Sequence, residues 1–299
     1  MLEIRLFGAM SVVTPAGTLS GAELGGVKPR QILEILSISP GIPVPKHQLA
    51  DLIWDGCPPR SYVSTLESYM CALRRKLGLG RGRVSAITTT NHGYVLDPAA
   101  AWTDLHEFRS QVHAAGGADP RSALGHLETA VGLATGELLA SEPYARWANQ
   151  ERGVVQIELV GAATLAARHA VALGEPAVAV RMARTAVDVD ALAEEAWRLL
   201  MRGLWASGRR SEALRAYSEL RNTLGDELGA DPAVETQALY LEILRDEPVP
   251  TDGPRPDGRD EVMMLMDLLR RAVESIPGLE VPRTDRALAE VAASLGQVA

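Results

Sequence analysis

The apolar periodicity of this chain changes once, near Asp104, and that change constrains the fold more than any other feature of the sequence. Upstream, two-residue alternations are interleaved with short helical patterns. Downstream, apolar residues recur at helical spacing almost throughout. Over 299 residues this predicts two architectures in succession, an α+β module and an all-α module, in a chain that is mainly α.

The opening LEIRLF sets Leu2, Ile4 and Leu6 against Glu3, Arg5 and Phe7, and Ser11 to Val13 before TPAG reads as a second strand, predicting a small antiparallel sheet. After Gly25 and Gly26, KPRQILEILSIS carries Ile32, Leu33, Ile35 and Leu36 at helical spacing until PGIPVP breaks it. KHQLADLIW is a second helix that stops at DGCPP. A third helix, 61–77, buries a stripe of Val63, Leu66, Met70, Leu73 and Leu77. Its opposite face holds Ser61, Ser64, Thr65, Ser68, Ala72 and Arg75, flanked by Tyr69, Arg74 and Lys76. VSAITTT and YVLD then pair across a tight loop at Asn91, His92 and Gly93. Sheet, three helices and hairpin in that order predict a winged helix-turn-helix.

Charge divides the same way. The net charge is −8, yet residues 1–100 carry ten Lys and Arg against seven Asp and Glu, and the rest carry 20 against 31. From Arg60 to Arg83 six basic residues face Glu67 alone. A basic segment in an acidic chain is the footprint of a module that meets phosphate; a solvated basic helix without a ligand is the plainer alternative.

Downstream, Gly174 and Gly208, Ala179 and Ala213, Val180 and Leu214, Arg181 and Arg215, and Leu165 and Leu199 all stand 34 residues apart. That is the tetratricopeptide period, although an Ala-rich bundle also produces coincidences. Residues 247–259 form a Pro, Gly and Asp linker. Beyond it Val262, Met266, Leu269 and Val273 make one helical stripe, and a last helix is expected over 285–295, with the rest of the chain, another subunit or a frayed end as its surroundings.

Catalytic and metal signatures do not occur. HExxH, GxSxG and GxxxxGK are absent, and GLGRG at 78–82 is one residue short of a dinucleotide fingerprint. Cys57 and Cys71 lack a CxxC spacing and are expected to be packing thiols, so no cofactor and no metal are expected. With neither a signal peptide nor an uninterrupted apolar run of about 20 residues, no membrane is expected and a cytoplasmic location is.

Taken together, LEIRLFGAMSV, KPRQILEIL, HQLADLIWDGCPP, TLESYMCALRRKLG, NHGYVL and EALRAYSELRNTLGDELGADPAVETQALYLEIL resemble the Streptomyces antibiotic regulatory protein family. Its members join an OmpR-type winged helix to a bacterial transcriptional activation domain. The resemblance implies a DNA-binding domain over 1–98, an activation domain over 103–247 and an extension over 248–299. It implies a transcriptional activator, not an enzyme, binding double-stranded promoter DNA in the nucleoid. Two protomers, a homodimer on DNA, would occupy direct repeats beside the −35 region of an antibiotic gene cluster and recruit RNA polymerase through its sigma factor and alpha subunit. The turn from Asp55 to Pro59 would touch polymerase.

In that reading Ser64, Thr65 and Ser68 lie near base edges, and Arg75 reads guanine or neutralises phosphate. Arg60, Tyr69, Arg74 and Lys76 clamp phosphates, and Asn91 and His92 reach the minor groove. The alternative is an interaction adaptor whose winged helix has lost its DNA.

Overall fold

The computed structural model describes residues 1–79 and 85–246. The expected linker from 247 and the terminal helices after it, and Arg81 and Arg83 of the basic cluster, lie outside these residues.

The chain opens with strands β1 (Leu2–Arg5), β2 (Ser11–Thr14) and β3 (Gly17–Ser20), followed by a single 3-10 turn. Helices α1 (Val27–Ile38), α2 (Lys46–Ile53) and α3 (Tyr62–Lys76) follow, with β4 (Val44–Pro45) between the first two. The hairpin β5 (Ile87–Thr89) and β6 (Gly93–Leu96) comes next, then β7 (Ala101–Thr103). The sheet expected to be a small antiparallel one has four strands in the order β3-β2-β1-β7, and β7 runs parallel to β1 with Leu2 opposite Ala101 and Ile4 opposite Thr103. A three-residue AWT strand pairing with residues a hundred positions away leaves no local signal.

The expected alternation of β1 also needs one correction. Phe7 is only 5% exposed, although it lies on the side assigned to solvent. It packs edge-on against Phe108 with ring centroids 6.0 Å apart, because a helix of the second half covers that side. The stripe on α3 is shorter than expected as well. Leu66, Met70, Leu73 and Leu77 are buried, but Val63 is 40% exposed, since the core begins one turn inside the helix.

From Asp104 the chain is helical: α4 (Asp104–Ala115), α5 (Pro120–Leu133), α6 (Arg146–Ala172), α7 (Pro176–Val189), α8 (Glu194–Ala206), α9 (Arg210–Leu228) and α10 (Val234–Arg245). The 34-residue spacing is visible in the backbone. Gly174 and Gly208 end α6 and α8 with φ of 70° and 73°, a left-handed conformation that favours glycine, and Ala179 and Ala213 are fully buried one turn into α7 and α9. The small residues let the helices close up: a Cβ on Gly203 would lie 3.0 Å from Val180 Cγ2. Helix α6 has the length and apolarity to cross a bilayer. Here Val155, Leu159, Ala163 and Ala166 of that helix are buried in the core it shares with α7 and α8.

Residues 1–245 form one compact unit, and two devices join its halves. Buried Asp104, at the start of α4, accepts from the Leu6 and Phe7 amides at 2.8–3.0 Å. Burial pushes its carboxyl above the ordinary aspartate range, against the pull of those donors. The loop between α5 and α6 forms the second device. Leu139, held at a left-handed φ of 54°, donates to the Leu6 carbonyl at 2.8 Å, and Gly8 donates to the Glu137 carbonyl at 2.9 Å. Glu142 in this loop takes Arg30 at 2.6 Å and Gln31 at 2.6 Å, both from α1. The loop is itself held by Arg152 of α6, which donates to the carbonyls of Leu138, Leu139, Glu142 and Pro143.

Candidate nucleic-acid interface

Helix α3 buries one stripe and leaves the opposite arc to solvent, so its outward residues follow from the 3.6-residue turn. Ser61, Ser64, Ser68, Arg75 and Lys76 are exposed, whereas Thr65 and Ala72 are half-buried at the edge. Thr65 and Ser64 each donate their hydroxyl to the Ser61 carbonyl at 3.0 Å, and Ser68 donates to the Ser64 carbonyl at 2.9 Å. With their hydrogens turned back on the helix, these hydroxyls present lone pairs outward and act as acceptors. Glu67 and Cys71 belong to the same exposed arc, and the sequence reading left both out of it. Their position was available from 100° per residue alone: Cys71 lies three residues after Ser68 and four before Arg75. Neither Cys57 nor Cys71 is the packing thiol expected; both are exposed, one in the turn before α3 and one on its outward face.

The flanking residues divide by what they touch. Tyr69 is half-buried and stacks on Trp54 at 6.4 Å, fastening α3 to the end of α2. Lys28 lies over the same indole at 6.0 Å and donates to the Ile53 carbonyl at 2.5 Å, so it serves the core rather than the surface. Arg74 reaches across to the hairpin: its Nη2 donates to the Ile87 carbonyl and to Thr89 Oγ1, each at 2.9 Å. That residue therefore ties the wing to α3. Arg60, in the turn preceding α3, is exposed.

The wing has three strands, because β4 pairs with β6 as well as β5 does. Gly93 is where they cross, and a Cβ there would fall 1.9 Å from the Val44 carbonyl oxygen, which no side chain tolerates. Asn91 and His92 stand exposed at the tip, and the His92 carbonyl accepts the Lys46 amide at 3.0 Å. The Lys46 side chain donates to Glu67 Oε1 at 2.7 Å and lies over the Tyr94 ring at 5.8 Å. The hydrogen bond to Glu67 holds its ammonium above the ordinary lysine range. Between α3 and the wing runs a groove of about 610 Å³ lined by Lys46, Glu67, Cys71, Arg74, Arg75 and Tyr94. Among the described residues no three His, Cys, Asp or Glu side chains are grouped as metal ligands would be.

An exposed helix face bearing acceptors and cations, beside a hairpin fixed to it by a half-buried guanidinium, is a geometry that suits a groove reader. The family described as transcriptional regulatory protein, C terminal, matches residues 25–96, and the bacterial transcriptional activator domain matches residues 103–244. Regulatory protein DnrI of Streptomyces peucetius is 30% identical over 246 residues, covering 76% of this chain and 88% of that protein. Transcriptional regulatory protein MoaR1 of Mycobacterium tuberculosis is 29% identical, covering 76% of this chain and 75% of its own length. Transcriptional regulator RedD of Streptomyces coelicolor is 29% identical, covering 83% and 72%. Among solved structures, Mycobacterium tuberculosis EmbR in complex with a low affinity phosphopeptide superposes with a TM-score of 0.67 over 92% of this chain and 72% of that one; at 23% identity it supports the fold.

Proposed function

The chain belongs to the Streptomyces antibiotic regulatory protein family of transcriptional regulators, which are not enzymes, and on that premise we propose that it activates promoters by placing α3 in the major groove. Ser64, Thr65 and Ser68 meet base edges, and Arg75 reads guanine or neutralises a phosphate. Arg60 and Lys76 contact phosphates, as does Tyr69 from beyond its stack on Trp54. Arg74 acts on the backbone mainly through the wing it holds, and Asn91 and His92 enter the adjacent minor groove.

One winged helix neutralises few phosphates and binds weakly at physiological salt, so two protomers occupy direct repeats about 10 to 10.5 base pairs apart. In this reading residues 1–98 bind DNA and residues 103–247 hold protomers together, while 248–299 is an extension. The acidic helical half stays away from DNA, and the complex sits beside the −35 element, in the cytoplasm on the nucleoid. There, at an antibiotic gene cluster, the protein recruits RNA polymerase through its sigma factor and alpha subunit, with the turn Asp55–Pro59, where Asp55 has φ of 50°, as a polymerase contact.

The observation that carries the proposal is the exposed arc of α3, where Arg75 and Lys76 make no hydrogen bond or close ion pair among the described residues, beside a wing locked in register. Footprinting of promoter fragments with a salt titration tests it. Protection over direct repeats is expected, with a salt slope that the Arg60→Ala, Arg75→Ala, Lys76→Ala triple variant flattens by up to about three. No footprint, or an unchanged slope in a folded triple variant, overturns it in favour of the adaptor reading.

A further inference from the structure

Glu67 is the one acidic residue between Arg60 and Arg83, and its side chain is 57% exposed on the arc of α3 that carries Ser64 and Arg75. A carboxylate on a surface that meets phosphates is repelled by them, so its presence at that position calls for a compensating contact. Lys46 supplies one inside the protein: it neutralises Oε1 at 2.7 Å and itself lies over the Tyr94 ring, which restrains the carboxylate on its side of the helix. The other oxygen, Oε2, has no partner among the described residues. It is an acceptor left open on an exposed side chain.

In the major groove an acceptor finds two kinds of partner, the exocyclic amines of cytosine and adenine. Adenine places its own acceptor, N7, next to that amine, where a carboxylate is repelled; cytosine presents the amine with no acceptor of its own beside it. We propose that Glu67 is a specificity-determining residue that accepts a hydrogen bond from the N4 amine of a cytosine in each half-site. The proposal rests on the reading of α3 as the DNA-reading helix and adds to it one base at one position. Lys46 is the positioning residue, neutralising the carboxylate so that the base pair gains more than the phosphates lose.

Selection of the full chain on a randomised duplex library, followed by sequencing, tests this with wild type, Glu67→Ala, Glu67→Gln and Lys46→Ala. Wild type is expected to enrich a motif with one position per half-site that favours cytosine about ten-fold. Glu67→Ala flattens that position alone, and Glu67→Gln moves it toward adenine, whose N6 and N7 suit an amide. Lys46→Ala weakens the cytosine preference without replacing it. If Glu67→Ala and Glu67→Gln enrich the wild-type motif at every position, whether or not affinity changes, Glu67 serves only its ion pair and the proposal falls. If wild type enriches no motif, the reading of α3 fails first and takes the proposal with it. Because Glu67 is exposed, an unchanged melting curve for both variants certifies that each comparison is made on folded protein.

Discussion

Arg152 and Arg75 carry the same guanidinium in opposite circumstances. Arg152 is buried in the junction between the halves with its donors spread over four backbone carbonyls and Asn149. Arg75 stands on α3 in solvent, its guanidinium without an acceptor among the described residues. A guanidinium whose donors are all engaged holds the structure together. One left free is available to a ligand, and its exposure is tolerated because water solvates it until the ligand arrives. The two regions are thus separable by experiment: changes at the junction should move stability, and changes on the arc should move binding.

The largest effect expected is Arg152→Ala, which strands buried carbonyls and should destabilise the chain by roughly 3–5 kcal/mol in urea titration. A loss below about 1 kcal/mol would break the contrast. Leu66→Ala on the buried stripe should lose about 2–5 kcal/mol by the same measurement, through lost burial and the cavity left behind.

A third test uses Glu34 of α1, fully buried beside Glu142, with Arg30 Nε 3.7 Å from its Oε1. Burial pushes its pKa up from 4.5 to about 8, helped by the nearby Glu142 carboxylate and opposed by Arg30. The folded state therefore keeps a proton that the unfolded chain gives up above about pH 4.5. Its contribution to stability is fully present below that value and is lost as pH rises toward 8, at up to about 1.4 kcal/mol per pH unit. Glu34→Gln should flatten this part of the stability curve, and a wild-type curve level between pH 5 and 8 would contradict the assignment.

Smaller still, Arg75→Ala should cost about 1–3 kcal/mol of DNA affinity by gel shift while leaving the melting temperature in place. Val63→Ala, despite a place on the predicted stripe, should change stability by no more than about 0.5 kcal/mol.

The sequence carried those parts of the fold whose causes are local. The buried residues of α3, the helix breaks and the 34-residue spacing of Gly174 and Gly208 depend on neighbours within one or two turns, and they are read from spacing. The parts that were not legible depend on partners far along the chain. Phe7 is buried by Phe108, β7 pairs with β1, and Arg30 finds Glu142. Arg74 shows the same limit at the candidate site. Its type and position on the helix flank suggested a phosphate clamp, but only the packed hairpin reveals that its donors are engaged with Ile87 and Thr89. Lys46 was missed because its relation to Glu67 spans two helices, whereas Glu67 and Cys71 could have been placed by counting.

The parallel pairing of β1 with β7 has a further consequence. The strand that leads into the helical half is also an edge of the first half's own sheet, so residues 101–103 are tied by backbone pairing at the point where a hinge would be expected. Two such molecules side by side on a duplex, as proposed above, would act as brackets pinned at this strand. If half a helical turn of DNA, about five base pairs, were inserted between the two proposed sites, the twist would fall on the double helix or on the proposed contact between protomers, because the strand at each waist is paired.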